Sequence, residues 1–126
     1  KLRARLPQSQ ADRLQHAVLS AHRFAPPILP GVDAAQLRQA TWDECEVAFG
    51  YADAQGAITQ RQVKPLGLVY FDRSTVLVAW CLLRHGFRVF RLDRMCDLVV
   101  TEVSFRPHRV RLYREALDHL RSQTFD

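Results

Sequence analysis

The residues best suited to chemistry lie in one short arginine-rich segment, RHGFRVFRLDR at residues 84–94. Within it, Arg88, Arg91 and Arg94 recur at every third position, and phenylalanines lie among them. Guanidinium groups bind phosphate or carboxylate oxygens in a forked geometry and stack on flat rings. Such a segment is typical of a surface that binds nucleotides or single-stranded nucleic acid. The plainer interpretation, favoured by composition alone, is a solvated basic edge strand that discourages aggregation.

The backbone of this segment decides which arginines lie together. In one unbroken strand, Arg88 and Arg94 would share a face and Arg91 would lie on the opposite face, because strand side chains alternate. A single 3₁₀ turn over residues 92–94 would bring the three closer together.

The charge of the chain narrows the kind of ligand. The net charge is +5, and 16 of the 18 basic side chains are arginine. Residues 1–44 carry +2, residues 45–105 only +1, and residues 106–126 again +2. A central segment so close to neutral lacks the broad basic surface that duplex DNA requires. The charge therefore indicates a small anionic ligand or a short single strand at one site.

Other kinds of chemistry have little support in the sequence. The histidines lack metal-ligand spacing, and neither a GxGxxG nor a P-loop motif is present. Cys45, Cys81 and Cys96 each lie among apolar residues and indicate buried thiols in a reducing cytoplasm. The longest apolar run, residues 76–83, is too short to span a bilayer. We therefore expect no enzyme, no metal ion, no cofactor and no membrane contact.

Hydrophobic spacing and turn residues predict the elements that position the arginines. Residues 1–44 are predicted to form two short helices separated by a proline-rich break at 25–31, with Asp33 capping the second, which ends near Asp43. Gly56 supplies the positive φ of a first hairpin turn. The predicted strands cover residues 45–51, 57–64, 66–71, 76–83, 87–91 and 95–103, with Pro65 ending the second of them. A last helix carries Pro107 in its first turn.

These elements predict an α+β fold that is mainly β, with flanking helices. Five or six short antiparallel strands in about 60 residues are too few for a sandwich, so a small SH3-like or Sm-like antiparallel barrel is expected. The predicted organisation is a helical connector over residues 1–44, the barrel over 45–105 and a C-terminal helix over 106–126.

Three segments of the sequence resemble the WYL-domain family. They are VKPLGLV at residues 63–69, VLVAWC at 76–81 and RVFRLDRM at 88–95, which are similar to the family's V-x-P-L-G-L, W-Y-L-V-A and R-x-F-R-L-D-R-I segments in order and spacing. The resemblance covers about residues 37–105. The opening residues 1–7 also look like the connector that follows the DNA-binding head of such regulators.

The resemblance implies an Sm-like effector region of a bacterial transcriptional regulator, preceded by a winged helix-turn-helix that binds operator DNA. It implies a nucleotide-like or single-stranded nucleic acid ligand, a cytoplasmic location, with the nucleoid as the site of action, and a homodimer. The basic cluster of the family corresponds here to Arg88, Arg91 and Arg94. An aromatic residue corresponds to Tyr51 and a further basic position to Arg61.

Two departures from the family pattern keep other functions open. The signature triplet W-Y-L stands here as Thr75-Val76-Leu77, and an acidic stretch that includes Asp43 and Glu44 stands where the family often has arginines. Both favour the alternative of a dimerisation and protein-interaction module that has lost its ligand. A free-standing Sm-like RNA-binding protein is a third interpretation, which the connector-like start disfavours.

Overall fold

A computed structural model describes residues 31–124 and shows a five-stranded antiparallel sheet with one helix before it and one after it. The elements in chain order are α1 (Ala34–Asp43), β1 (Cys45–Ala52), β2 (Ile58–Tyr70), β3 (Thr75–Cys81), β4 (Gly86–Arg91), a 3₁₀ turn η1 (Leu92–Arg94), β5 (Met95–Ser104) and α2 (Arg109–Thr124). The predicted α+β class is confirmed. Within the described range, neither helix is long and apolar enough to cross a membrane.

The helix α1 has the ends that the sequence predicts. Asp33 is its N-cap, and its carboxylate accepts a hydrogen bond from the backbone N–H of Ala35 at 2.9 Å. The first predicted helix and the proline-rich break lie outside the described residues, apart from Gly31. Leu37 and Ala40 of α1 are buried in the hydrophobic core. This helix is therefore packed against the sheet as part of the domain, whereas the sequence predicted it as part of a connector. The domain boundary at residue 44 stays a prediction.

The long strand β2 holds two half-sheets together. Its first half pairs with β1, from Ile58 to Val63, and its second half pairs with β3, from Val63 to Tyr70. The prediction that Pro65 ends a strand is wrong, because the chain continues through it. The register shifts between Pro65 and Gly67, and a bulge of this kind tolerates a residue that has no N–H to donate.

The two outer strands are joined by η1 alone. The strand order is β4-β3-β2-β1-β5, so a flat sheet would place β4 and β5 about 19 Å apart. A three-residue 3₁₀ turn advances only about 6 Å, and the sheet must therefore curl. No backbone pairing joins β4 to β5 within residues 31–124, so the sheet is not closed and the predicted barrel is not confirmed.

Each face of the sheet carries its own hydrophobic cluster. On one face, α1 covers a cluster in which the rings of Phe49 and Tyr51 meet Phe90 edge to face, at centroid distances of 5.2 and 5.0 Å. On the other face, α2 covers a second cluster that includes Val76 and Val78 of β3. Strand β3 contributes to both clusters, which explains why its sequence is apolar without alternation.

The helix α2 begins at Arg109, two residues after Pro107, so the proline precedes the helix and is not in its first turn as predicted. The ring of Tyr113 lies directly over Gly67, where an added Cβ would be 2.6 Å from the ring. Gly67 thus leaves the space that the Tyr113 ring of α2 occupies against β2. Burial raises the pKa of the Tyr113 phenol, and its hydroxyl oxygen has no hydrogen-bond partner within the described part of the chain.

We expect Gly67→Ala to lower the free energy of unfolding by about 1–3 kcal/mol, because the added methyl group forces the Tyr113 ring and α2 away from the sheet. Chemical denaturation measures the effect. Gly86→Ala is the matched control, since an added Cβ there meets nothing closer than 3.9 Å. Equal stability of the Gly67 variant and the parent protein would contradict the close packing of α2.

Candidate ligand site

The last arginine of the predicted cluster, Arg94, is buried. Only 2% of its surface is exposed, and it closes η1 beside the turn between β1 and β2. Its Nη1 donates to the backbone carbonyl of Asp53 at 3.0 Å and approaches that of Ala52 at 3.4 Å. A buried guanidinium needs such acceptors, since desolvation without them costs several kcal/mol. Arg94 therefore fixes the corner where the β1–β2 turn meets η1.

Arg91 forms a forked ion pair with Asp93. Its Nε and Nη2 donate to the two carboxylate oxygens at 3.1 and 2.7 Å. This two-point geometry is the strongest that an arginine and a carboxylate can form. The Asp93 carboxylate therefore largely neutralises the positive charge of Arg91. The backbone N–H of Arg91 also donates to the hydroxyl oxygen of Tyr51 at 3.0 Å.

The structure places Tyr51 inside the core, with 4% of its surface exposed. Burial raises the pKa of its phenol, and the Arg91 N–H and the nearby guanidinium groups of Arg94 and Arg91 oppose part of that shift. The neutral hydroxyl therefore links β1 to the end of β4. This position makes Tyr51 a structural neighbour of the arginine segment.

Arg61 and Arg88 face the same side of the sheet. Arg88 is exposed on β4, two residues before Phe90, and pairs across the strands with Ala79 of the same cluster. The Arg61 guanidinium lies 5.8 Å from the centre of the Phe90 ring, and its Nε donates to the Thr59 hydroxyl at 3.0 Å. Neither arginine pairs with a carboxylate among residues 31–124.

The five predicted residues thus divide into two groups. Arg61 and Arg88 lie on the same face of the sheet, with Phe90 beneath the first of them. The other three residues lie around η1 and form hydrogen bonds within the fold; they are Arg91, Arg94 and Tyr51. The structure has a 3₁₀ turn at residues 92–94, the alternative to an unbroken strand that the sequence left open. It separates the environments of the three arginines, where the sequence suggested that it would gather them.

The acidic departure from the family pattern has a role within the fold. Glu44 ends α1 in the left-handed conformation, and its Oε1 accepts from the backbone N–H of Arg109 at 3.0 Å, the first residue of α2. A carboxylate at a helix N-terminus is favourable because it satisfies free N–H groups and the helix dipole. Arg106 adds an ion pair at 3.6 Å and donates to the carbonyl of Asp43 at 3.0 Å. No spacing pattern in the sequence indicates this link, because Glu44 and Arg109 are 65 positions apart.

No group of three or more histidine, cysteine, aspartate or glutamate residues is placed to hold a metal ion in the described part of the chain. The three cysteines are free thiols.

Comparison with known proteins agrees with the three motifs. The family model described as WYL domain matches residues 33–100. The chain is 37% identical over 59 residues to a Bacillus subtilis (strain 168) protein, the uncharacterized HTH-type transcriptional regulator YobV; the match covers 47% of this chain and 19% of that protein. In structure it is similar to proteasome accessory factor B/C (PafBC) of Arthrobacter aurescens, with a TM-score of 0.55 and 28% identity over 61% of this chain and 12% of that one.

We expect Arg94→Met to lower the free energy of unfolding by about 1–3 kcal/mol, because two carbonyls of the β1–β2 turn lose their buried donor. Urea denaturation measures the loss. Arg88→Met is the matched control from the same segment and should change the stability by less than about 0.5 kcal/mol, since the side chain is exposed. Equal effects of the two substitutions would refute the division of the cluster.

Proposed function

This chain belongs to the WYL-domain family, and we propose that it is the ligand-sensing domain of a bacterial transcriptional regulator. The relative from Bacillus subtilis supports the proposal, because its name describes it as an HTH-type regulator. The chain spans less than a fifth of that protein and of PafBC. Operator binding is then the task of a winged helix-turn-helix elsewhere in the full-length protein. The proposed sensor has an Sm-like fold and acts in the cytoplasm without catalysing a reaction.

The proposed ligand is an anionic nucleotide-like molecule or a short single-stranded nucleic acid, and the proposed contacts are Arg61 and Arg88. The observation that carries this choice is their common face, on which neither pairs with a carboxylate of residues 31–124. Phe90 supports the Arg61 guanidinium from below and limits its freedom. A side chain that is already ordered loses less entropy when it binds. The ring itself is buried, so stacking of a base on Phe90 is not part of the proposal.

The occupied residues supply the route from ligand to DNA-binding head. A ligand bound to Arg88 would restrain β4, which leads directly into η1. At η1, the hydrogen bonds of Arg91, Asp93 and Arg94 form a rigid corner. Gly31, which comes from the N-terminal side of the chain, lies against this corner: an added Cβ would be 3.3 Å from the carbonyl oxygen of Leu92. Ligand binding would shift the population of connector orientations by acting on this contact.

We expect Arg61→Gln and Arg88→Gln each to weaken binding of short single-stranded DNA or a cyclic nucleotide by about tenfold or more, because each removes a charge-assisted hydrogen bond. Each substitution should also reduce the salt dependence of the affinity. Isothermal titration calorimetry at two ionic strengths measures both quantities.

Arg114→Gln is the control for this titration, because Arg114 is exposed on α2 and its loss removes the same charge from the other side of the sheet. If the Arg61 and Arg88 variants bind as the parent protein does, the site is assigned to the wrong residues. If no nucleotide or oligonucleotide binds at all, the sensing function itself fails.

One surface favours the alternative function, a dimerisation module. Strand β5 is an outer strand, and Val99, Val100 and Val103 are exposed along it. A long apolar edge strand exposes unpaired backbone groups and is a natural place for a second chain to pair. A homodimer through β5 is compatible with ligand sensing and would remain if the ligand had been lost.

We expect Val99→Lys to shift the protein from dimer to monomer in sedimentation velocity, since a charge on an outer strand opposes pairing. Val110→Lys on α2 is the matched control, because the two valines are 57% and 56% exposed. A protein that is monomeric before substitution, or a dimer that both variants leave intact, would exclude this edge as the interface.

A further inference from the structure

A small pocket, whose lining includes neither Arg61 nor Arg88, lies between α1 and α2 beside β2. It is lined by Arg38, Thr41 and Trp42 of α1, Leu68 of β2 and Arg109 of α2, is partly open to solvent, and has a volume of about 60 Å³. Since one water molecule needs roughly 10–15 Å³ of such volume, the pocket has room for a group of several heavy atoms and not for a whole nucleotide.

Two arginines of the pocket retain their charge. Arg38 donates to the hydroxyl oxygen of Tyr70 at 2.8 Å, and Arg109 donates to the carbonyl of Leu66 at 3.0 Å. Both acceptors are neutral, and neither guanidinium pairs with a carboxylate within residues 31–124. The nearby carboxylate of Glu44 is engaged by the backbone N–H of Arg109 and by Arg106. The two arginines are thus positioned by neutral acceptors, and each guanidinium has further N–H groups that can donate to a ligand.

An indole ring stands beside these charges. Trp42 is 51% exposed, an unusual exposure for so large an apolar side chain in a single small domain. The Arg109 guanidinium lies 5.1 Å from its ring centre, so a cation–π contact orients both groups. The spacing of Arg38 and Trp42, four residues apart on α1, places them on the same side of the helix.

We propose that this α1–α2 pocket binds a phosphate or carboxylate group carried on a small aromatic molecule. The anionic oxygens accept hydrogen bonds from Arg38 and Arg109, and the aromatic part lies against the exposed surface of Trp42. The ligand bridges the two helices, because one arginine belongs to α1 and the other to α2. The inference does not rest on the Arg61–Arg88 site, and either site can fail without the other.

The experiment titrates the full chain with phenyl phosphate, benzoate and inorganic phosphate at millimolar concentrations, following Trp42 fluorescence and the melting temperature. We expect phenyl phosphate, benzoate or both to change the fluorescence and raise the melting temperature, and the stronger of the two identifies the anionic group. Inorganic phosphate should bind at least several-fold more weakly than phenyl phosphate. Trp42→Phe should remove the fluorescence response, since Trp80 lies elsewhere on β3.

The variants decide whether the arginines are responsible. Arg38→Gln should weaken binding about tenfold, and Arg109→Lys, which keeps the charge but loses the forked donors, should weaken it measurably. Arg114→Gln removes the same charge from an exposed position of α2 outside the pocket and should leave this binding unchanged. The proposal is overturned if none of the three probes binds, if Arg38→Gln binds as the parent protein does, or if Arg114→Gln abolishes the signal. Equal affinity for phosphate and phenyl phosphate would contradict the proposed contact between the aromatic part of the ligand and Trp42.

Discussion

The short turn between the two outer strands is the constraint on which the rest of the domain depends. Strands β4 and β5 stand at opposite edges of the sheet, yet only the three residues of η1 separate them in the chain. The sheet can satisfy this only by curling, and the bulge at Pro65 and Gly67 lets the long strand β2 take part in both halves of the curl. Two hydrophobic clusters then lie on opposite faces, each covered by one helix. The corner at η1 is crowded, and its polar groups must be satisfied within the fold.

That crowding explains why a run of evenly spaced arginines does not act as one cluster. Arg94 is drawn inward and held by turn carbonyls, and Arg91 is neutralised by Asp93. Arg88 precedes the turn, lies on the open part of β4 and keeps its charge for solvent or ligand. The charge that remains available on this face comes from Arg88 and from Arg61, whose place beside Phe90 could not be read from its position in the chain. Under the proposed function, a ligand on this face would act on the corner through β4, which leads directly into η1.

The sequence predicts local features well and long-range ones poorly. The Asp33 cap, the Gly56 turn and the 3₁₀ turn depend on residues a few positions apart, and all three are found. Pro65 misleads because its missing N–H is tolerated at a bulge, which only the neighbouring strand β3 reveals. The burial of Arg94 and the link from Glu44 to Arg109 join residues more than forty positions apart, and no spacing rule connects them. The three WYL motifs correctly indicated the family. The ligand contacts stay predictions; they are Arg88, Arg91, Arg94, Arg61 and Tyr51.

The hold of Arg94 on the β1–β2 turn also bears on how the domain can change its length over evolution. Two sets of hydrogen bonds hold the turn. The Asp53 carboxylate accepts from the backbone N–H groups of Gln55 and Ala57, and the Arg94 guanidinium donates to the Asp53 carbonyl. An insertion there would carry the carbonyls of Ala52 and Asp53 away from the buried guanidinium that donates to them. The β3–β4 turn, in contrast, exposes Leu83 and Arg84, and the backbone N–H of Leu82 donates to the carbonyl of Gln62 at 3.0 Å. Inserted segments, and any new binding specificity they bring, are therefore directed to the β3–β4 end of the sheet.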